Sequence, residues 1–99
     1  MIRNVLFALL IPTTALASEG AALFKQSCVV CHGKDGSGNT PTGKALKAQD
    51  LRRAEVQKLS DAAIAKLIRD GKGSMPGFKA KMSDGDIAAL VAHIRALAK

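Results

Sequence analysis

The chain has no tryptophan and no tyrosine, and its three aromatic residues are all phenylalanine. A 99-residue chain so poor in large rings fills only a modest core from its own side chains. Domains of this size commonly need a disulfide, a metal or a bound cofactor as a staple. Two cysteines allow at most one disulfide, which points toward a cofactor. No stretch alternates apolar and polar residues, and β-branched residues are sparse beyond the first dozen, so strand signals are absent. No apolar run reaches the roughly 20 residues that a membrane-spanning helix needs. Negative charge is scarce: 8 Asp and Glu stand against 15 Lys and Arg, a formal net charge of +7.

What is present begins with a leader. Arg3 supplies a positive start, residues 5–11 are an unbroken apolar run, and Pro12, Thr13 and Thr14 end it. Ala15-Leu16-Ala17 fits the small-x-small cleavage pattern of a secretory signal. Residues 1–17 are therefore expected to be a cleaved signal peptide and residues 18–99 the functional domain. Export implies an oxidising compartment, with the periplasm as the expected location.

The remaining chain reads as helices joined by glycine-rich loops, and the fold class is all-α. Residues 19–28 predict a short helix with Gly20, Phe24 and Cys28 on one face. Residues 33–43 hold four glycines and a proline and predict a loop. Single helical turns are expected within 45–51 and 54–59. Ser60 caps a better helix, with Asp61 in its first turn, an apolar stripe of Ile64, Leu67 and Ile68, and Gly71 at its end. Residues 72–82 predict a second loop, broken by Gly73, Pro76 and Gly77. Ser83 then caps a last helix whose apolar face is Ile87, Leu90, Val91, Ile94 and Leu97.

The chemistry sits in Cys28-Val29-Val30-Cys31-His32, a C-x-x-C-H run, which is the attachment signature for haem c. Two thiols at this spacing bond to the two vinyl groups on adjacent edges of the porphyrin. The residue after the second cysteine then lies under the iron, where an imidazole becomes an axial ligand. The other readings fit less well. A structural zinc site needs four ligands, and the chain offers no further Cys and one other His. A thioredoxin-like motif wants a βαβ setting. A disulfide across two residues closes too small a loop to stabilise much. One such motif implies one haem.

The second axial position decides between electron transfer and ligand binding at the iron. The candidates are Met75, Met82 and His93. Met75 is favoured because Gly73, Pro76 and Gly77 shape its loop for close approach to a flat ring, whereas Met82 directly precedes the Ser83 cap and suits core packing. A thioether favours ferrous iron and raises the reduction potential.

Gly20-x-x-x-Phe24, Cys28-x-x-Cys31-His32-Gly33, Gly73-x-Met75-Pro76-Gly77-Phe78 and Leu90-x-x-His93-Ile94-Arg95-x-Leu97 resemble the class I cytochromes c. The likeness is greatest to the small bacterial kinds near cytochromes c-551, c-553 and c-555. It implies four to five helices around one covalently bound haem, with the N- and C-terminal helices crossing. It implies His32 as proximal and Met75 as distal iron ligand, Gly20 as the point of close helix approach, and Phe24 and Leu90 as packing residues there. An aromatic residue, usually tyrosine, commonly stands in the family where this chain has His93. His93 is accordingly expected to pack as a ring at the crossing.

The implied function is a soluble shuttle for single electrons, not an enzyme. The competing reading, a gas-binding or peroxidase-like haem protein, requires a labile distal side. The basic charge suggests steering toward an acidic docking site on a redox partner. Lys72, Lys79 and Lys81 flank the Met75 loop, and Lys34 lies beside His32. The expected state is a monomer without nucleic-acid partners. Lys44, Arg52 and Arg53 are candidate propionate contacts by charge alone.

Overall fold

The computed structural model describes residues 13–98. Six helical segments follow in order: α1 (Thr13–Ser27), α2 (Val29–His32), α3 (Pro41–Leu46), α4 (Ala54–Gln57), α5 (Asp61–Asp70) and α6 (Asp84–Leu97). No strand occurs among the described residues, and only Lys72 and Met75 pair, as an isolated bridge. No described helix is long and apolar enough to cross a membrane.

The all-α expectation holds, and the two better helices start where their caps predict. The Ser60 hydroxyl accepts from the Ala63 N–H, satisfying one of the unpaired donors at the start of α5. At α6, Ser83 and Asp86 form a reciprocal capping box. Three expectations need correction. The first helix begins at Thr13 rather than near residue 19, since Ala15, Leu16, Ala17 and Glu19 are good helix formers. The first twelve residues of the expected leader lie outside the described residues.

The second correction concerns residues 33–43, which are not wholly loop. Thr40 caps α3, its hydroxyl accepting from Gly43 N–H at 2.8 Å, and Pro41 occupies the first turn. Proline is tolerated there because its missing N–H would have had no helical partner. The third is that the turn expected within 45–51 ends instead at Leu46, and Lys47 closes it in the left-handed region at φ 58°.

The core is formed by Phe24, Leu51, Val56, Ile64, Ile68, Ile87, Leu90, Val91 and Ile94. Phe24, Ile87 and Leu90 are at most 2% exposed. Phe24 is the only phenylalanine of this fully buried set, and its burial is worth roughly 1.5–3 kcal/mol. Leu67 and Leu97, expected on apolar faces, are half-buried.

α1 and α6 pack against each other at Gly20. A Cβ there would strike the Ala89 carbonyl, with the Ala89 carbonyl carbon at 2.7 Å and His93 Cβ at 3.0 Å. One turn further on, the rings of Phe24 and His93 lie 4.8 Å apart at 51°. His93 therefore takes the packing role expected of a ring at this position, and burial lowers its pKa. Two residues beyond His93, Arg95 reaches across to the α4–α5 connection. It donates to the carbonyls of Gln57 at 2.8 Å and Leu59 at 2.6 Å, and to the Asp61 carboxylate at 2.8 and 3.0 Å.

Candidate haem site

Cys28 follows α1 as the cap residue of α2, and Cys31 lies within the single turn of α2. Their three-residue spacing brings the two side chains to one side of the turn. Both thiols are free and half-buried. Burial, with the nearby Cys31 charge as the smaller cause, pushes the Cys28 thiol up to about 11. Val30, between them, is 64% exposed, so the turn presents an apolar outer surface.

His32 closes the turn, and its geometry is specific. Nδ1 lies 3.0 Å from the carbonyl oxygen of Gln49. A carbonyl only accepts, so the ring proton sits on Nδ1 and the Nε2 lone pair is left for a metal. This is the tautomer that a metal-binding imidazole takes when a backbone carbonyl orients it. Two thiols and one oriented imidazole within five residues fit a covalently attached haem c. The donor set fits no zinc site, and no cluster of three or more His, Cys, Asp or Glu suited to a metal ion occurs among the described residues.

The α2 turn is held from the α3 side. The Thr40 hydroxyl lies 2.9 Å from the Val30 carbonyl and 3.1 Å from that of Cys31, and donates to them. Gly43 packs directly beneath, where a Cβ would meet the carbonyls of Cys31 and Gly38. The Gly38 N–H donates to the His32 carbonyl at 2.6 Å.

Met75 sits in a loop folded back on the end of α5. Its N–H and C=O pair with the C=O and N–H of Lys72, both at 3.0 Å. Gly71, at φ 77°, lies so close to Met75 and Gly77 that a Cβ would come within 2.6 Å of the Met75 oxygen. Phe78 N–H then donates to the Ile68 carbonyl at 3.0 Å, pinning the far side of the loop. Met75 and Met82 are both half-buried and pack against the core.

The basic side chains divide into two groups. Arg52 is held by Asp50 at 3.0 and 3.1 Å and lies 3.8 Å from Asp35, while Arg53 is 3.9 Å from Asp50. The Arg52 hydrogen bonds hold the Asp50 carboxyl at about 2. Among the described residues, no carboxylate forms an ion pair with Lys34, Lys44, Lys72, Lys79 or Lys81. Of the candidate propionate contacts, Arg52 and Arg53 are thus engaged with carboxylates and Lys44 is not.

Two functional groups escaped the sequence. The Gln49 carbonyl is backbone, which every residue carries, so no side chain announces it. Thr40 was legible in principle, because Thr followed by Pro is a helix-start signal.

Comparison with known proteins gives the family. The family described as "Cytochrome C oxidase, cbb3-type, subunit III" matches residues 15–94. Cytochrome c6 of Synechocystis sp. is 39% identical over 84 residues, which cover 82% of this chain and 68% of that protein. Cytochrome c-551 of Bacillus subtilis is 36% identical over 78 residues, covering 79% of this chain and 61% of the relative. Among solved structures, the KustC0563 c-type cytochrome superposes with a TM-score of 0.74 at 38% identity, covering 81% of this chain and 98% of its own. With the C-x-x-C-H turn in place and α1 crossing α6, the chain belongs to the class I cytochrome c family, as a small monohaem electron carrier, not an enzyme, with one covalently bound haem c.

Proposed function

We propose that the protein shuttles single electrons between redox partners in the periplasm, with its haem c attached through Cys28 and Cys31 and ligated by His32 and Met75. The observation that carries this reading is the His32 ring, whose Nδ1 is committed to the Gln49 carbonyl and whose Nε2 is thereby presented as a ligand. The bound iron supplies the one-electron ferric–ferrous couple. The chain's own residues do the rest. Cys28 and Cys31 prevent loss of the cofactor by dilution, which suits an exported protein. Met75, in its tied loop, would be the second protein ligand to the iron and would keep substrate from it. Lys72, Lys79 and Lys81, on or beside that loop, steer the protein toward an acidic docking site on its partner. Residues 1–17 act as the export signal and are removed. The carrier works as a monomer.

The test is a visible and near-infrared spectrum of the protein made in a host with a periplasmic haem-attachment system. The expected result is a low-spin ferrous spectrum unmoved by carbon monoxide, with the weak near-infrared band of Met-ligated ferric haem. Met75→Ala is expected to lose that band and Met82→Ala to keep it. A prompt shift of the wild-type spectrum on adding carbon monoxide would overturn the reading in favour of a gas-binding or peroxidase-like site.

A further inference from the structure

We infer that Gln57, locked by Arg95, is a positioning residue for the His32 imidazole: it anchors the segment carrying the Gln49 carbonyl and so sets how strongly His32 donates to the iron. The inference rests on the proposed ligation by His32.

A carbonyl orients a ring only if its own peptide is held. Around Gln49, the Ala48 N–H donates to the Gly43 carbonyl and the Leu51 N–H to the Gly36 carbonyl, both at 2.8 Å. Both anchors lie inside the glycine-rich stretch between His32 and Leu51, so neither reaches α6. Leu51 itself is buried in the core, and the polar tie from its backbone to α6 is Gln57. Its Nε2 donates to the Leu51 carbonyl at 2.8 Å and to the Ile94 carbonyl of α6 at 3.0 Å. Both amide hydrogens are thereby used.

The orientation of that amide is also set. Arg95 Nη1 lies 3.4 Å from Gln57 Oε1 and donates to the Gln57 backbone carbonyl at 2.8 Å. A guanidinium has donors only, so the amide oxygen must face Arg95 and the nitrogen must face the two carbonyls. Arg95 is in turn fixed by Leu59 and Asp61. A continuous set of hydrogen bonds therefore runs from α6 through Gln57 to Leu51, two residues from the carbonyl that holds His32. A firm Nδ1–H···O bond makes the imidazole more basic and favours ferric iron; loosening it raises the reduction potential.

Gln57→Glu separates this role from that of a strut. The carboxylate keeps the length of the side chain and its Arg95 partner but has no N–H to give Leu51 or Ile94. Ser83→Ala is the control: it removes the cap at the opposite end of α6 and tests lost stability alone. Both are prepared as holoprotein, and three quantities are read: the ring resonances of coordinated His32, the exchange rate of its Nδ1 proton, and the reduction potential. Gln57→Glu is expected to speed that exchange about fivefold, the effect of one ordinary hydrogen bond, and to raise the potential. Ser83→Ala is expected to lower the melting temperature and leave both unchanged. If Gln57→Glu yields no holoprotein, Arg95→Lys is expected to move both quantities the same way by less. Exchange and potential that stay at wild-type values in the folded variant overturn the inference while leaving His32 ligation intact. Absence of coordinated-His32 resonances in the wild type overturns the ligation, and the inference with it.

Discussion

Gly20→Ala sets two known effects of opposite sign against each other at the α1–α6 crossing. In an isolated helix the change is favourable, because glycine costs about 0.8–1.0 kcal/mol relative to alanine in a helix interior. Here the new methyl would lie 2.7 Å from the Ala89 carbonyl carbon and 3.0 Å from His93 Cβ. The nearer obstacle is backbone in the middle of α6, so no flexible side chain swings away to relieve it. Forcing an extra carbon into such a contact typically costs about 1–3 kcal/mol, and a backbone obstacle belongs at the upper end. The net expectation is a loss of about 1–2 kcal/mol. For a domain of this size each kcal/mol shifts the melting temperature by about 4–8 °C, so a fall of about 4–16 °C is expected. The assay is thermal unfolding of the ferric holoprotein followed by helical circular dichroism. Ala22→Gly, at an exposed position of the same helix, serves as the reference and is expected to cost about 1 kcal/mol through propensity alone. A Gly20→Ala protein as stable as wild type, or more so, would show that the helices do not approach as described.

Two further outcomes follow from other parts of the molecule. Because burial lowers the folded-state pKa of His93, the unfolded chain binds more protons as pH falls through the ordinary histidine value of about 6.5. Stability contributed at this site is thus complete above that value, declines as pH drops toward the lowered folded pKa, and levels off below it. Denaturant titrations at several pH values should show His93→Phe lacking that decline, and an identical slope in both proteins would remove His93 as its source. Replacing Lys72, Lys79 and Lys81 together by glutamine should slow association with an acidic redox partner about tenfold at low salt and flatten its salt dependence; an unchanged rate would place docking on another face.

The parts of this fold that were legible share one property: their signals are local. Ser60 and Ser83 announce their helices because a cap and its partner lie three residues apart. The C-x-x-C-H turn and the Gly20–Phe24 face are likewise complete within one or two turns. Residues 41–43 read as loop because proline and glycine commonly break helices. In fact Pro41 starts the helix and Gly43 is there for lack of room against Cys31. The pairing of Asp50 with Arg52 spans two residues and was within reach of the sequence. The Arg95–Gln57 contact spans 38 residues, and no periodicity reports it. The ring orientation of His32 depends on a backbone oxygen 17 residues away, so it becomes visible only when the intervening loop has been traced.

The meeting of the first and last helices has a consequence for the order in which the protein matures. Phe24 reaches its buried state only against residues of α6, and Gly20 meets its neighbour only when Ala89 exists. Until α6 docks, the chain up to the Met75 loop therefore has half a core and nothing to close it. Contacts so distant along the chain form late, after the entropy of a long loop has been overcome. Throughout that interval the thiols of Cys28 and Cys31 stand on an unpacked turn, reachable by whatever joins them to the cofactor. Once α6 docks, Cys28 packs against the completed core and becomes half-buried. The topology thus acts as a timer: by assigning nearly half of the core to its final segment, the chain leaves its attachment turn unpacked until the last helix is in place.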